Sequence, residues 1–409
     1  MTALIGRHVR ADAARSPRGE LELERLPPLS LYVHLPWCVR KCPYCDFNSY
    51  ESRGALPDEA YVDALLRDFD SELGLVRGRA IESVFIGGGT PSLFPGPAIG
   101  RLLEGIRARV TLAAAVEVTL EANPGAVEAG RFAQFRDAGV NRLSIGVQSF
   151  RDERLRALGR VHGGAEARRA VRLAKQAGFD SVNLDLMYGL PDDDAAGSIA
   201  DLAAAVELEP EHVSWYQLTL EPNTAFERRP PALPDEDFVL DVERAGRELL
   251  TGAGFTRYEI SAYARPGREC AHNSSYWRFG DYLGIGAGAH GKVTLPEQRA
   301  IERRAKTRNP RTYLVLAGTA AAVSVERIDT AAQARLEFLM NALRLVRGVS
   351  ADCFEERAGQ PFAALDAGVA AAVRRGWLVD EPRMLRPTAL GLALLNPMLE
   401  MFCEPPSFP

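Results

Sequence analysis

The sequence predicts an α/β fold, in which an incomplete TIM-like (β/α)6 barrel is followed by a small winged-helix-like C-terminal domain. Three observations lead to this class. Short apolar runs rich in β-branched residues alternate with longer helical patterns from residue 30 to about residue 263. Polar or glycine-rich motifs follow six strand candidates in succession. From about residue 326 the pattern changes to helices and a short hairpin.

The six strand candidates lie at residues 31–34, 83–86, 116–121, 142–147, 181–187 and 213–218. A helix is predicted between the first two, over residues 57–76. Pro57 suits a first helical turn, and apolar residues recur every four positions from Tyr61 to Leu73. In such a barrel, functional side chains are expected at the carboxyl ends of the strands.

The C-terminal pattern predicts helices over residues 333–345 and 363–375, a hairpin over residues 376–386 and a last helix from Pro387. Winged helices often bind DNA, but this one has no dense basic stripe, since Arg374 and Arg375 stand alone. We therefore expect a packing or lid domain and no nucleic-acid partner. The predicted organisation is a flexible polar tail (1–28), the barrel (29–265), a connecting region (266–325) and the C-terminal domain (326–409).

The composition is that of an ordinary globular protein, with 409 residues, 46% hydrophobic and 25% charged. The net charge of -5 gives no general attraction to nucleic acid or anionic membranes. No apolar run is long enough to span a bilayer, and the N-terminus does not resemble a signal peptide. We therefore predict a cytoplasmic protein, in which clustered cysteines bind metal or do chemistry more often than they form disulfides.

Three of the six cysteines, Cys38, Cys42 and Cys45, lie within eight residues of each other, directly after the first strand candidate. Thiolates bind soft metals, and the close spacing wraps one loop around one site. A zinc site would need a fourth ligand, for which His34 or Asp46 is available. A disulfide would leave one thiol over. A cubane iron–sulfur cluster normally takes four cysteines, so three would leave one iron open for another ligand.

The C-x3-C-x2-C spacing after the first strand of a partial barrel resembles the radical S-adenosylmethionine (SAM) superfamily. Four further motifs resemble the oxygen-independent coproporphyrinogen III oxidase family: YVHLPWC at 32–38, GGGTPS at 87–92, EANP at 121–124 and SIGVQSF at 144–150. The likeness runs from about residue 29 to the C-terminus. It implies a radical SAM barrel with SAM and a [4Fe-4S] cluster as cofactors. The implied cluster ligands are Cys38, Cys42 and Cys45.

The same resemblance implies contacts to SAM at the ends of the strands. The positions that match contacts to the cluster-bound SAM are Tyr32, Tyr44, Gly88, Gly89, Thr90 and Glu121. Glycine lets the backbone come close to a ligand because it has no Cβ atom. The positions that match a second SAM site in the oxidase are Gln148, Arg160 and Asp185. For these three a structural role is the alternative, and Arg160 with His162 is equally compatible with a surface polar pair.

One position departs from the oxidase, which resembles C-x3-C-x2-C-x-C, because Phe47 stands where the fourth cysteine would be. In this respect the chain resembles the related HemW group, regarded as heme chaperones. Residues 272–277, HNSSYW, also resemble the H-N-x-x-Y-W segment that is associated with heme binding in that group. This makes His272 a candidate heme ligand, with Cys270 as a second candidate. The alternative is a histidine that is hydrogen-bonded within a loop.

The sequence thus predicts a heme chaperone with a radical SAM core that delivers heme to apo-hemoproteins, with membrane respiratory proteins among the candidates. Two other functions stay open: porphyrin metabolism by oxidative decarboxylation of coproporphyrinogen III, and a zinc-stapled nucleic-acid-binding protein. Whether the chain is an enzyme and whether it forms oligomers is not predicted. The glycine-rich residues 284–291 allow tight packing or cap the barrel mouth. The basic residues 303–308 contact heme propionates or form a solvated face.

Overall fold

The computed structural model describes residues 21–76, 78–125 and 129–403. In chain order its strands are β1 (Leu29–Leu35), β2 (Trp37–Cys38), β3 (Tyr50–Glu51), β4 (Ile81–Gly88), β5 (Leu112–Ala122), β6 (Arg142–Gln148), β7 (Val182–Tyr188), β8 (His212–Gln217), β9 (Thr256–Arg257), β10 (Ala262–Ala264), β11 (Asp281–Ile285), β12 (His290–Leu295), β13 (Ala300–Lys306), β14 (Val323–Ile328), β15 (Val349–Ser350) and β16 (Met384–Leu385).

The described α-helices alternate with the strands of the barrel and dominate the C-terminal part. They are α1 (Asp58–Val76), α2 (Gly96–Arg107), α3 (Phe132–Ala138), α4 (Asp152–Ala157), α5 (Gly164–Gln176), α6 (Ala195–Glu207), α7 (Ala225–Arg228), α8 (Glu236–Gly252), α9 (Ala271–Trp277), α10 (Pro310–Leu316), α11 (Ala331–Ala342), α12 (Ala351–Ala358), α13 (Asp366–Arg374), α14 (Ala389–Ala393) and α15 (Leu395–Glu400). None of them is long and apolar enough to cross a membrane.

The main sheet runs in the order β14-β13-β12-β11-β1-β4-β5-β6-β7-β8-β10-β9. The neighbours from β1 through β4 to β8 are all parallel, and they are the six predicted barrel strands in chain order. Their inward and outward side chains pack into one apolar core with the covering helices. The prediction of an incomplete parallel barrel is confirmed.

The predicted helix between the first two strands is also confirmed, as α1. Its residues Tyr61, Leu65 and Phe69 are fully buried against the sheet. Asp68 and Glu72 are buried beside them, which an amphipathic pattern does not predict. These two carboxylates need partners, and the partners come from the far end of the sheet.

The predicted connecting region, residues 266–325, is part of the main sheet rather than a link. It contains α9 and the strands that extend the sheet beyond β1. β11 pairs with β1 in parallel, and β12, β13 and β14 follow as antiparallel neighbours. The barrel sheet therefore does not end at residue 265. Glycine and buried charged residues in these strands hide the simple alternation that marks a strand.

The predicted flexible tail of residues 1–28 differs from the structure where the structure describes it. Residues 1–20 lie outside the described ranges. Leu21 and Leu23 are buried in the apolar core of the C-terminal domain, and Glu22 donates its N–H to the carbonyl of Gly359. Residues 21–28 are thus held in place, because two leucines leave water on packing.

The C-terminal domain packs α11 to α15 around its own apolar cluster, which also receives Phe279 and Ile301 from the barrel side. β15 pairs with β16, and Leu378 forms an antiparallel bridge with Pro387. Within the predicted hairpin the two arms are joined at this bridge and by the hydrogen bond from the Val379 N–H to the Arg386 carbonyl, whereas β16 pairs with β15 from earlier in the domain. The domain contacts the barrel sheet through this apolar cluster and through an ion pair of Glu337 with Arg303 of β13.

Candidate functional site

The three clustered cysteines lie on one loop between the ends of β2 and β3. Cys45 donates its N–H to the carbonyl of Cys42, and Ser52 donates to the carbonyl of Cys38, which closes the loop on itself. The pKa of Cys38 is raised to about 11, chiefly by burial, which outweighs a hydrogen bond with Thr90 that lowers it, and the nearby Cys45 and Cys42 contribute to the rise. The three thiols are thus close enough that a negative charge on Cys42 or Cys45 raises the pKa of Cys38.

All six cysteines are described, and all six are free thiols. In the described ranges, no three His, Cys, Asp or Glu side chains gather closely enough to hold a single metal ion. A four-iron cluster binds each cysteine through a different iron, so its ligands stand further apart than the ligands of one ion. Three thiol donors on one loop are the ligand type that an iron–sulfur cluster takes, and they would leave one of its irons without a cysteine.

The end of β4 lies directly against the cysteine loop. Gly89 donates to the carbonyl of Leu35 at 2.8 Å, and Thr90 donates to the carbonyl of Trp37 at 2.7 Å. A Cβ atom on Gly89 would lie 2.6 Å from the Trp37 carbonyl oxygen, and Gly88 has a φ of +123°. These glycines are needed for the close approach of two backbones, whatever ligand binds beside them.

Two acids occupy the barrel interior between β5 and β7. Glu121 accepts a hydrogen bond from the Gly88 N–H at 3.0 Å. Burial and then the negative charge of Asp185 raise the pKa of Glu121 to about 8. Asp185 accepts from Ser144 at 3.1 Å and from Asn183 at 2.8 Å, and burial raises its pKa as well. The pair can therefore hold a proton near neutral pH, and it offers acceptors to amino or hydroxyl groups.

Arg160 joins the cysteine loop to the ends of β5 and β6. Its Nη2 donates to the Gly146 carbonyl at 2.8 Å and to Asn123 Oδ1 at 2.5 Å, and its Nη1 lies 3.6 Å from Cys42 Sγ. Its Nε is buried and has no partner within the described residues. His162 bonds the Val147 carbonyl at 3.0 Å and is buried, so the two residues are not a surface pair.

The remaining candidates for contacts to SAM surround this centre. Gln148 has a φ of +66° and accepts from the Tyr216 hydroxyl at 3.0 Å. The Tyr32 hydroxyl lies 2.9 Å from His34 Nδ1, inside the barrel. The Tyr44 ring lies 6.4 Å from the Phe226 ring, at the rim. The structure thus brings the candidates of β1 and of β4 to β7 to one end of the barrel, as predicted for parallel strands.

His272 lies on α9, near the starts of the strands, and its ring centroid is 6.4 Å from that of Tyr32. Its Nδ1 lies 3.2 Å from Ser83 Oγ at the start of β4, its ring centroid is 5.1 Å from that of Phe85, and it is 8% exposed. Burial, followed by the charge of Arg142, lowers its pKa to about 4. Cys270 is fully buried and donates to Glu117. In this structure His272 is a buried histidine within hydrogen-bond distance of Ser83, which matches the alternative to a heme ligand. Its role as a heme ligand stays a prediction.

Sequence reasoning missed Asn48, which fixes the cysteine loop from outside the barrel. Its Nδ2 donates to the carbonyls of Ala287 and Arg308, both at 2.9 Å. Its own carbonyl lies 2.9 Å from His34 Nε2. A Cβ atom on Gly288 would lie 2.3 Å from the Asn48 amide nitrogen. The glycine-rich residues 284–291 therefore allow tight packing against this loop.

The basic residues 303–308 are mostly engaged inside the protein. Lys306 Nζ lies 2.6 Å from Asp68 Oδ1 and 2.6 Å from Glu72 Oε1, all three side chains being buried. Arg304 also pairs with Glu72, at 2.8 Å. Lys306 and Arg304 compensate the buried acids of α1, so these two residues do not form the predicted solvated face. In the sequence, the signal for this buried ion-pair network was the position of Asp68 and Glu72 on the apolar side of α1.

Comparison with known proteins identifies the superfamily of the barrel and the family of the C-terminal domain. Residues 32–202 match the model of the radical SAM superfamily, and residues 329–394 match that of the HemN C-terminal domain. The solved coproporphyrinogen III oxidase (HemN) from Escherichia coli, a radical SAM enzyme, superposes with a TM-score of 0.78. It is 24% identical, over 92% of this chain and 90% of that one, which shows the fold.

Two curated relatives are much closer in sequence. The heme chaperone HemW of Escherichia coli (strain K12) is 50% identical over 92% of this chain and 99% of its own length. The heme chaperone HemW of Haemophilus influenzae is 46% identical over 93% of this chain and 99% of its own. The identity covers the barrel, its strand extension and the C-terminal domain together. The chain therefore belongs to the HemW family of the radical SAM superfamily.

Proposed function

We propose that this chain binds heme and delivers it to apo-hemoproteins, on a core that holds a [4Fe-4S] cluster and SAM. The observation that carries the proposal is the 50% identity to a heme chaperone over 99% of that relative's length. Function resides in sites rather than in folds, so identity along the whole chain weighs more than the shared barrel.

The oxidase activity is not part of the proposal. The likeness to the solved oxidase extends to the fold only, at 24% identity. Phe47 stands where the oxidase pattern has its fourth cysteine, and its side chain is 46% exposed on the loop. An aromatic ring cannot replace a thiolate, so this loop lacks a group that the oxidase pattern contains.

The proposed cluster ligands are the three free thiols Cys38, Cys42 and Cys45, which would leave one iron open. When bound, the cluster and SAM supply one-electron chemistry. Around them, Gly89 permits close backbone approach, and the Glu121 carboxyl accepts from the Gly88 N–H. Arg160 has a buried Nε without a partner in the described residues, which is available to a carboxylate of a ligand.

The proposed partners are heme and apo-hemoproteins, membrane respiratory proteins among them. Heme is a flat, largely apolar molecule with two carboxylates, so its transfer needs an accessible iron ligand and cationic groups. The proposed compartment is the reducing cytoplasm, where six free thiols remain reduced.

The test is an anaerobic titration of the cluster-reconstituted chain with ferric heme, followed in the Soret region, and then mixing with an excess of apomyoglobin as acceptor. Saturable binding followed by transfer of the heme is expected. A chain without saturable heme binding would contradict the proposal. Formation of protoporphyrinogen from coproporphyrinogen III with SAM and a reductant would identify the oxidase instead.

A further inference from the structure

The histidines of this chain differ sharply in accessibility. Four of the five that the structure describes are buried, and each has a ring nitrogen within hydrogen-bond distance of a partner: His34, His162, His212 and His272. His290, at the start of β12, is the one exposed histidine among the described residues. A neutral imidazole that is open to solvent is what heme iron can reach without displacing an element of the fold.

The strands next to His290 carry small side chains at the positions that pair with it. His290 lies opposite Ala305 of β13, and Ala305 lies opposite Ser324 of β14. Gly284 lies on the other side of His290, since a Cβ atom there would be 1.9 Å from the His290 carbonyl oxygen. Gly284 in turn pairs with Tyr32 of β1, whose side chain faces the barrel interior. Opposed residues point to the same face, so His290 stands in a row of small residues beside an aromatic ring.

Two cations flank this row. Arg303 precedes Ala305 by two residues on β13 and is therefore a diagonal neighbour of His290 on the same face. Glu337 accepts from its Nε at 2.7 Å and also from its Nη2, and its Nη1 donates to the Tyr282 hydroxyl at 3.4 Å, so of its five N–H groups one remains on each Nη. Arg308 is exposed just beyond β13, with its Nε 3.4 Å from Asn48 Oδ1. Desolvation and then these two charges lower the pKa of His290, which keeps its imidazole neutral.

We propose that His290 is the axial ligand of the heme iron, with the porphyrin edge over the partly exposed Ala305 and its propionates directed to the exposed Arg308 and to the remaining N–H groups of Arg303. This inference rests on the proposed function as a heme carrier. Heme combines the properties that the surface matches: a planar apolar ring, an iron that takes imidazole and two carboxylates that pair with guanidinium groups.

The structure favours His290 over His272 for a physical reason. Iron binding at His272 requires α9 to leave the barrel, which breaks the Ser83 contact at 3.2 Å and exposes the Phe85 ring. Binding at His290 requires no such opening, and an exposed ligand also suits a carrier that must release its cargo.

The experiment is a ferric heme titration of the full, cluster-reconstituted chain, comparing wild type with His290→Ala and with His272→Ala. Thermal melting checks that each variant is folded. For His290→Ala we expect heme affinity to fall about tenfold or more, equivalent to about 1.4 kcal/mol. Free imidazole should restore the wild-type Soret band in His290→Ala, and His290→Cys should shift that band through thiolate ligation. A merely structural role would not produce either spectral effect.

The outcomes separate the two proposals. If the wild type does not bind heme, the proposed function fails and this inference fails with it. If wild type and His290→Ala bind with the same spectrum and affinity, or only His272→Ala loses binding, the carrier function stands and His290 is excluded. Weaker binding by His290→Ala without imidazole rescue, together with an unshifted band in His290→Cys, also excludes His290 as the iron ligand.

Discussion

Replacement of Asn48 by alanine tests whether the strand extension holds the cysteine loop. The side chain makes two hydrogen bonds of 2.9 Å, to the carbonyls of Ala287 and Arg308. Each such bond contributes about 0.5–1.5 kcal/mol, so Asn48→Ala should lower the free energy of unfolding by about 1–3 kcal/mol. Urea unfolding of the cluster-free chain measures this change directly. Amide hydrogen exchange in residues 38–52 should be faster in Asn48→Ala than in the wild type, while exchange in the barrel strands should stay the same.

The matched variant is Asn48→Asp, which keeps the shape of the side chain. It replaces the donor nitrogen by a carboxylate oxygen that faces the two carbonyl oxygens of Ala287 and Arg308. The variant should therefore be destabilised at least as much as Asn48→Ala, because two acceptors repel where a donor is required. An Asn48→Asp variant with wild-type stability and unchanged exchange in the loop would refute the reasoning.

Three further predictions follow from named groups. Cys42→Ala should lose the cluster, and a variant that keeps iron, labile sulfide and a brown colour would disprove that ligand. Burial, followed by the charge of Asp185, raises the pKa of Glu121 from 4.5 to about 8. Between these values the folded state keeps a proton that the unfolded state loses, so stability should fall as the pH rises. Glu121→Gln should reduce this fall in the urea midpoint. Lys306→Met removes the cation that pairs with the buried Asp68, while Glu72 keeps Arg304, and should cost about 3–5 kcal/mol in urea unfolding, against about 0.5 or less for the exposed Arg308→Met.

The barrel could be predicted because its information is local. Each strand is a short apolar run, and each functional motif follows it directly, so the parallel order brings the motifs to one end. The cysteine loop, Gly89 and Glu121 are adjacent in space for this reason. They lie on strands that neighbour each other in the sheet in chain order, so their proximity follows from the order of the motifs in the sequence.

The strand extension could not be predicted in the same way, because its information is not local. Lys306 is buried only because Asp68 and Glu72 meet it from α1, more than 230 positions earlier in the chain. A run of basic residues alone is typical of a solvated surface. The burial of His272 could not be predicted for a related reason, since nothing near it in sequence indicates that Ser83 and Phe85 pack against it.

The segment after the parallel barrel acts at both of its ends. α9 closes the end where the strands begin, with His272 against Ser83. The glycine-rich turn after β11 holds the other end through Asn48. β11 joins the two and pairs with β1 along its length, so it couples them through a rigid strand. His290 follows that turn directly. A ligand bound at His290 would contact the segment that positions the cysteine loop. Opening α9 to use His272 would disrupt the closed end of the barrel. Binding at the exposed His290 therefore costs less conformational free energy.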